Sequence, residues 1–233
     1  MSARLRFEAL LRCAAELLSA RGAVTLEEVS RCAGAPLPLA ELLLEELEVR
    51  AGEELSRSIL PLLLIRAWLR GYSLLDLALH SGWSTLEELV GVIFGEFGFQ
   101  YRRGVRVKVK GERHEVDVLA WRGDVAFCVD CKRWARLRES ALRRAAQAQA
   151  ERCKVLARCA SLGCVEGFAT HYPHTYLYPA VISLHKPRTP VYEGVLLLDL
   201  YALVDLLREV DLLHLAELGA TPLVVETSER LPL

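Results

Sequence analysis

The chain of 233 residues is poor in several side chains. It contains no asparagine, three glutamines and a single methionine, and only five of its 29 basic residues are lysines. Because amide and thioether side chains are sensitive to heat, their scarcity indicates a thermophilic source, although a GC-rich coding bias would produce part of the same pattern.

Long hydrophobic stretches are also missing. No apolar run reaches the roughly 18 uncharged residues that a membrane span needs. The opening residues Met-Ser-Ala-Arg-Leu-Arg lack the apolar region and cleavage site of a signal peptide. About half of the residues are apolar, which is enough for one sizeable core and a small second one. We therefore expect a cytoplasmic globular protein of one or two domains.

The seven cysteines, scattered from Cys13 to Cys164, do not form the dense paired framework of a small secreted domain. We expect most of them to be buried free thiols. Cys128 and Cys131 have the spacing of a redox or zinc motif, but side chains three apart on a strand point to opposite faces and no second such pair follows. The sequence therefore does not favour a zinc site.

Charge is distributed unevenly. The formal net charge is -1, yet residues 101–160 carry 16 Lys and Arg against 7 Asp and Glu, a net +9, which leaves -10 for the rest. A basic segment in an acidic protein suits either a solvated helix face or a surface that follows nucleic-acid phosphates.

Residues 1–82 are predicted to form a small all-helical domain. Apolar spacing predicts helices over 5–20, from Thr25, from Leu37 or Pro38 to about Glu48, over 59–70 and over 73–80. The second has the spacing of a capping box, Thr25 with Glu28.

Such short helices and turns are typical of a helix-turn-helix or winged-helix domain that binds DNA, but equally of a bundle used for dimerisation or for covering a neighbouring domain. The third helix has an acidic face, which argues against contact with phosphates; its members are Glu41, Glu45, Glu46 and Glu48.

Residues 83–233 are predicted to form a second, α/β domain. Helical spacing covers 86–97, 136–160 and 200–209, and strand-like alternation or apolar runs cover 105–109, 115–120, 125–131, 176–184 and 194–198. The order α-β-β-β-α-β-β-α describes a mixed sheet with helices on both faces.

Charged side chains interrupt two of these apolar strands. Asp130 and Lys132 are two apart and share one face of their strand, as do Glu115 and Asp117 on the neighbouring strand. Ionised groups in such places are costly unless something compensates them. Strand pairing can bring the carboxylates of Asp117 and Asp130 together, and converging carboxylate oxygens suit Mg²⁺ or Mn²⁺.

Lys132 beside such a metal can orient or deprotonate water, or neutralise charge developing on a phosphate. The acid-x-Lys triplet alone is weak evidence, since about 0.6 copies are expected by chance in this composition. Its position on a strand hairpin carries the inference. The alternative is a structural ion pair between Asp130 and Lys132 at a sheet edge.

The hairpin resembles the active site of the PD-(D/E)xK restriction-endonuclease-like superfamily. The matching segments are Glu115-Val-Asp-Val-Leu-Ala and Asp130-Cys-Lys132-Arg-Trp, and the likeness covers roughly residues 83–205. Leu86-Glu-Glu-Leu-Val90 and Gly98-Phe99 are most similar to Mrr-type restriction endonucleases and archaeal Holliday-junction resolvases. The resemblance implies a restriction-endonuclease-like fold, a Mg²⁺-dependent endonuclease that acts on DNA, and a homodimer.

The resemblance also implies two further site residues. Glu87 falls on the family's helix carboxylate, an additional metal ligand, although it lies three after Ser84 and could instead cap its own helix. Gln149 matches a glutamine that some branches place near the metal, or it makes a buried structural hydrogen bond. The family's proline before Asp117 is replaced by Val116, and Cys153 stands where some branches have tyrosine.

Two arginine-rich clusters flank the proposed metal site in sequence and are predicted to contact nucleic-acid phosphates. They are Arg102, Arg103, Arg106 and Lys108 on one side and Arg133, Arg136 and Arg138 on the other. Three functions remain open: a metal-dependent endodeoxyribonuclease, a non-catalytic DNA-binding or regulatory protein that retains the nuclease fold, and a structural subunit that scaffolds another nuclease.

Overall fold

The computed structural model describes residues 3–50, 52, 54–72, 86–109, 111–134, 136–165, 168 and 172–226. The chain divides into two compact units, Met1–Val92 and Ile93–Leu233. The domain boundary predicted at residues 82 and 83, and the helix predicted over 73–80, lie outside the described residues.

Helices dominate the first unit. Over the described residues up to 72 they are α1 (Ala3–Arg21), α2 (Leu26–Ala33), α3 (Leu37–Glu46) and α4 (Leu60–Leu69), with a 3-10 turn at Arg57–Ile59. The start of α2 confirms the predicted capping box: Thr25 Oγ1 accepts from Glu28 N at 3.3 Å, and Glu28 Oε2 accepts from Thr25 N at 3.0 Å. Such a cap satisfies two backbone donors that the helix itself leaves without partners.

The prediction that this region is purely helical is wrong. Two three-residue strands, β1 (Ala23–Thr25) and β2 (Glu54–Ser56), form an antiparallel pair in which Val24 lies opposite Leu55. Both central side chains are buried and their neighbours are not. The strands are too short for alternation to be visible in the sequence.

The second unit contains a seven-stranded mixed sheet, counted over the described residues. Its strands are β3 (Gln100–Val109), β4 (Glu112–Arg122), β5 (Val125–Lys132), β6 (His174–Ser183), β7 (Val191–Tyr192), β8 (Val195–Leu198) and β9 (Leu223–Glu226). The order is β3-β4-β5-β6-β8-β7, with β9 also paired to β6. The pairs β5–β6 and β6–β8 are parallel, and the other pairs are antiparallel.

Helices flank this sheet, as predicted. The helix α5 (Leu86–Glu96) precedes it, α6 (Glu139–Ser161) connects β5 to β6, and α7 (Leu200–Arg208) and α8 (Leu212–Glu217) follow β8. Strand β3 begins five residues before the predicted start. The helix α6 begins three residues later than predicted because Arg138, its N-cap, has extended backbone angles.

Opposite faces of β5 pack against different partners. Ala126 and Cys128 belong to the core cluster that includes Cys153 and Leu156 of α6. Phe127, which points to the other face, has its ring 5.5 Å from the Phe94 ring of α5. Because β5 is covered on both faces, its run of apolar residues is continuous rather than alternating. Within the described ranges, no helix has the length and apolarity to cross a bilayer.

Six cysteines are paired in disulfides, so the prediction of mostly free thiols is wrong. The pairs are Cys13–Cys32, Cys128–Cys153 and Cys159–Cys164, with Cα separations of 5.9, 6.1 and 5.2 Å. These separations lie in the range that disulfides require. The sequence could not show Cys13–Cys32 and Cys128–Cys153, because both depend on how a helix packs, whereas Cys159–Cys164 is a local contact at the end of α6.

Candidate active site

The candidate site lies where strands β4 and β5 stop pairing. The last pairs of this ladder toward the site are Leu119 with Cys128 and Val118 with Val129, so the next position on β4 is Asp117 and the next on β5 is Asp130. Asp117 Oδ2 instead accepts a 2.7 Å hydrogen bond from the backbone N–H of Cys131. A side-chain carboxylate thus takes the place of a backbone acceptor as the strands separate.

Strand β3 is also distorted at this point. Its pairing with β4 includes Arg103–Val118 and Val105–Val116 but skips Gly104, which lies across from Asp117 and has a φ of +59°. Val116 and Leu119 belong to one core cluster although regular alternation would place them on opposite faces. Such local breaks are common next to active sites. Glycine suits this backbone angle, which most residues adopt only with strain.

Asp130 is buried beside two cations. Its side chain is 5% exposed, and Lys132 Nζ lies 2.7 Å from both of its carboxylate oxygens. Arg152 Nη1, on α6, lies 2.7 Å from Oδ1. The predicted common face of Asp130 and Lys132 is therefore confirmed. Arg152 was not predicted; its only sequence signal was its place three residues after Gln149 on a helix rich in arginine.

Burial raises the pKa of Asp117 above its ordinary value. The Cys131 N–H acts in the opposite direction, the negative charge of Asp130 raises the pKa further, and Lys132 and Arg152 lower it. Two carboxylates close together in a partly buried site therefore repel each other, and a cation between them would remove that penalty.

The donor set is compatible with a hard divalent cation. Asp117 and Asp130 offer carboxylate oxygens, and Asp130 Oδ2 is buried with no hydrogen-bond partner among the described residues, although it lies in the ion pair with Lys132. Oxygen ligands with positions left to water and phosphate are what Mg²⁺ prefers. Over the described part of the chain, no group of three or more His, Cys, Asp or Glu side chains is placed to hold a metal.

Gln149 is fully buried and makes a buried structural hydrogen bond, one of the two roles predicted for it. Its Nε2 donates to Cys128 O at 2.7 Å, and its Oε1 accepts from Arg152 Nη1 at 3.0 Å. Gln149 therefore reaches Asp130 through Arg152, since the guanidinium contacts both. Glu87 lies in the first turn of α5 and in the other unit, so its relation to the two aspartates stays a prediction; Ser84 lies outside the described residues.

The predicted nucleic-acid contacts fall on exposed positions. Arg102, Arg103, Gly104 and Arg106 of β3 line a groove of about 460 Å³ together with Val105, Cys164 and Val165. Arg106 donates to Glu115 from Nε at 3.1 Å and from Nη2 at 3.3 Å. The remaining predicted contacts are also exposed; Lys108 lies on β3, and Arg133, Arg136 and Arg138 lie between β5 and α6.

No protein-family model and no curated protein matches the sequence. Two solved structures are similar. One is a protein of unknown function, AF1548, with 18% identity and a TM-score of 0.31 over 48% of this chain and 55% of that one. The other is protein VC1899 from Vibrio cholerae, with 14% identity and a TM-score of 0.31 over 89% of this chain and 56% of that one. The chain spans about half the length of each, and at these TM-scores neither likeness carries an argument.

Proposed function

We propose that this chain is a metal-dependent endodeoxyribonuclease with a restriction-endonuclease-like fold that hydrolyses DNA phosphodiester bonds. One observation carries the proposal: Asp117 and Asp130 come together where the β4–β5 ladder ends, with Lys132 Nζ 2.7 Å from Asp130. Asp117 and Asp130 are the proposed metal ligands, and the sequence resemblance adds Glu87 to them. The proposed substrate is DNA, either duplex DNA cut as by a restriction endonuclease or a branched junction. A homodimer would bring two active sites to the two strands.

The roles follow from the chemistry of each group. A divalent cation held by the aspartates would supply Lewis-acid activation of the phosphodiester. Lys132 carries its ammonium group at the edge of the carboxylate pair, where it can orient a water molecule or neutralise charge that develops on the phosphate. The arginine-lined groove on β3 includes Gly104, across from Asp117, so phosphates bound there would pass close to the site.

The first unit is proposed to dock on DNA or on a second subunit. A turn of three residues, Gly34-Ala35-Pro36, joins α2 to α3, and Gly34 closes α2 with a left-handed cap. This is the spacing of a helix-turn-helix. The exposed face of α3 carries Glu41 and Glu45, which would meet phosphates unfavourably, so we favour a protein partner for that face.

Cleavage of supercoiled plasmid and of a synthetic four-way junction tests the enzyme. We expect products with Mg²⁺ or Mn²⁺, none with EDTA, and a loss of at least about 100-fold in rate for Asp130→Asn and for Lys132→Met. Asp205→Asn is a matched control, because Asp205 is an exposed aspartate on α7. Cleavage that persists undiminished in Asp130→Asn would overturn the proposed site.

A non-catalytic DNA-binding protein is the second candidate. It is favoured by Lys132 and Arg152, the two cations beside Asp130. They can satisfy this buried carboxylate without any metal. Salt-dependent DNA binding with no cleavage in any divalent metal would support this function instead.

A further inference from the structure

Arg152 is the least expected member of the site. Its Nη1 contacts Asp130 Oδ1 at 2.7 Å and Gln149 Oε1 at 3.0 Å, and its side chain is 31% exposed. A guanidinium group has five N–H donors in a planar fork. These two contacts use one nitrogen, and the group reaches solvent, so Arg152 can also meet a ligand that arrives from outside.

Gln149 holds Arg152 in place. Gln149 is fully buried, and its Nε2 is bonded to Cys128 O of β5 at 2.7 Å. Its Oε1 is thereby aimed at the guanidinium. Three hydrogen bonds therefore connect Cys128 O of β5 to Gln149, Gln149 to Arg152, and Arg152 to Asp130, two residues after Cys128 on β5. We call this chain of contacts the relay.

The charges at this point already cancel. Asp117 and Asp130 are balanced by Lys132 and Arg152, and both cations lie within 2.7 Å of Asp130. A divalent cation that approaches Asp130 is repelled by both, and the repulsion is strong because the carboxylate is nearly buried. Lys132 belongs to the catalytic set proposed above, whereas Arg152 can exchange its carboxylate for another anion.

We propose that Arg152 makes metal binding at the Asp117–Asp130 pair depend on nucleic acid. A backbone phosphate accepts two hydrogen bonds from a guanidinium as readily as a carboxylate does. When a phosphate draws Arg152 away from Asp130 Oδ1, that oxygen keeps one cationic partner, Lys132, instead of two, and one positive charge leaves the metal's surroundings. Metal and nucleic acid then bind cooperatively, and by linkage each strengthens the other by the same factor. This inference rests on the proposed function, because it assumes a metal at the two aspartates.

The test measures Mn²⁺ affinity by electron paramagnetic resonance on the full chain, with and without a phosphorothioate DNA duplex that resists cleavage. We expect the duplex to tighten Mn²⁺ binding by about tenfold or more in the wild-type protein, within the usual range of coupling between sites. Arg152→Met should bind Mn²⁺ more tightly than the wild type when no DNA is present, and the duplex should then add less. Arg152→Lys should retain part of the coupling.

Two controls separate the effects. Arg158→Met removes an exposed arginine from the same helix and should behave as the wild type. Asp130→Asn reports Mn²⁺ held by the duplex itself, which is subtracted.

The outcomes distinguish this inference from the proposed function. If the wild type binds Mn²⁺ equally well with and without the duplex, or if Arg152→Met without DNA binds it no more tightly than the wild type, the role of Arg152 is wrong while the metal site stands. If Asp117→Asn and Asp130→Asn both bind Mn²⁺ as the wild type does, the metal site itself, and the proposed function with it, is wrong. The wild-type measurement needs no variant, so the inference can fail even if Arg152→Met does not fold.

Discussion

Asp117 Oδ2 and the backbone N–H of Cys131 are joined by a 2.7 Å hydrogen bond just beyond the last backbone pair of the two strands, Val118 with Val129. This bond links β4 to β5 where the ladder ends and holds the Asp117 carboxylate beside Asp130. It also leaves Asp117 half-buried and close to another negative charge, which raises its pKa.

Asp117→Asn is therefore expected to stabilise the protein at neutral pH. A carboxyl group whose pKa is raised on folding favours the protonated form, so its contribution to stability is present below its ordinary pKa of about 3.9 and is lost as the pH rises through the raised value. The asparagine keeps an acceptor for Cys131 N–H without the charge. Because Asp117 is half-buried, solvent screens part of this effect, and we expect a melting temperature only about 1–3 °C higher than that of the wild type near pH 7. The difference should be smaller near pH 4.

Thermal unfolding followed by circular dichroism at both pH values measures this difference. Asp205→Asn, an exposed aspartate 3.6 Å from Arg208, serves as control and should change little. A lower melting temperature for Asp117→Asn near pH 7 would show that the hydrogen bond to Cys131 requires the ionised carboxylate. The same raised pKa predicts that metal binding weakens as the pH falls through it, since protons and metal compete for the group.

Gln149→Leu should destabilise the second unit and also weaken the site. The substitution puts an apolar side chain in a fully buried place but leaves Cys128 O without its amide donor and Arg152 with Asp130 alone as acceptor. An unsatisfied buried polar group costs about 1–3 kcal/mol. Urea denaturation should show this loss, whereas Gln147→Leu, on the exposed side of the same helix, should stay within about 0.5 kcal/mol of the wild type. Equal losses in the two variants would contradict the relay.

Much of the fold and part of the site can be predicted from sequence because local patterns decide them. The apolar run of β5 ends in Asp130-Cys-Lys132, and two-residue alternation alone places these side chains together, as the 2.7 Å contact confirms. The capping box of Thr25 and Glu28 is equally local. Both depend on residues within three positions of each other.

Arg152 could not be predicted in the same way. It lies 22 positions from Asp130, and their contact depends on the rotation and height of α6 above the sheet. Several other arginines lie on α6 in the same Ala- and Arg-rich sequence, so the helical period does not distinguish Arg152 from them. The start of β3 was missed for another reason: Arg102-Arg103-Gly104 resembles a turn, and the positive φ of Gly104 is accommodated inside a strand instead.

The disulfide between Cys128 and Cys153 is expected to stabilise the second unit. It joins β5 to α6 across 25 positions of sequence, and closing a loop of this size is worth about 2–4 kcal/mol. The double variant Cys128→Ala, Cys153→Ala should lose about this much in urea denaturation without reductant. Cys131→Ala, which breaks no disulfide, is the control. Intact mass under non-reducing conditions checks the oxidation state, and seven alkylatable thiols in protein unfolded without reductant would contradict the three pairs.

Substitutions at the arginine-lined groove are expected to change DNA affinity in opposite directions, depending on whether an acidic or a basic side chain is removed. Arg106 is held by Glu115 at 3.1 and 3.3 Å, so Glu115→Gln should release its guanidinium for phosphate. We expect Glu115→Gln to bind duplex DNA more tightly and to steepen the dependence of log affinity on log salt by about 0.9. Arg106→Gln should bind no more tightly than the wild type, and Arg102→Gln should weaken binding and flatten the slope by a similar amount.

Fluorescence anisotropy of a labelled duplex across a range of salt concentrations measures these slopes. Arg208→Gln is the matched control, because Arg208 lies on α7 and its charge is not part of the groove. If Arg102→Gln and Arg208→Gln flatten the slope equally, the protein's overall charge governs DNA binding and the groove has no special role. If only the groove variant changes the slope, the phosphates run along β3, and Gly104 lies in their path directly across from Asp117.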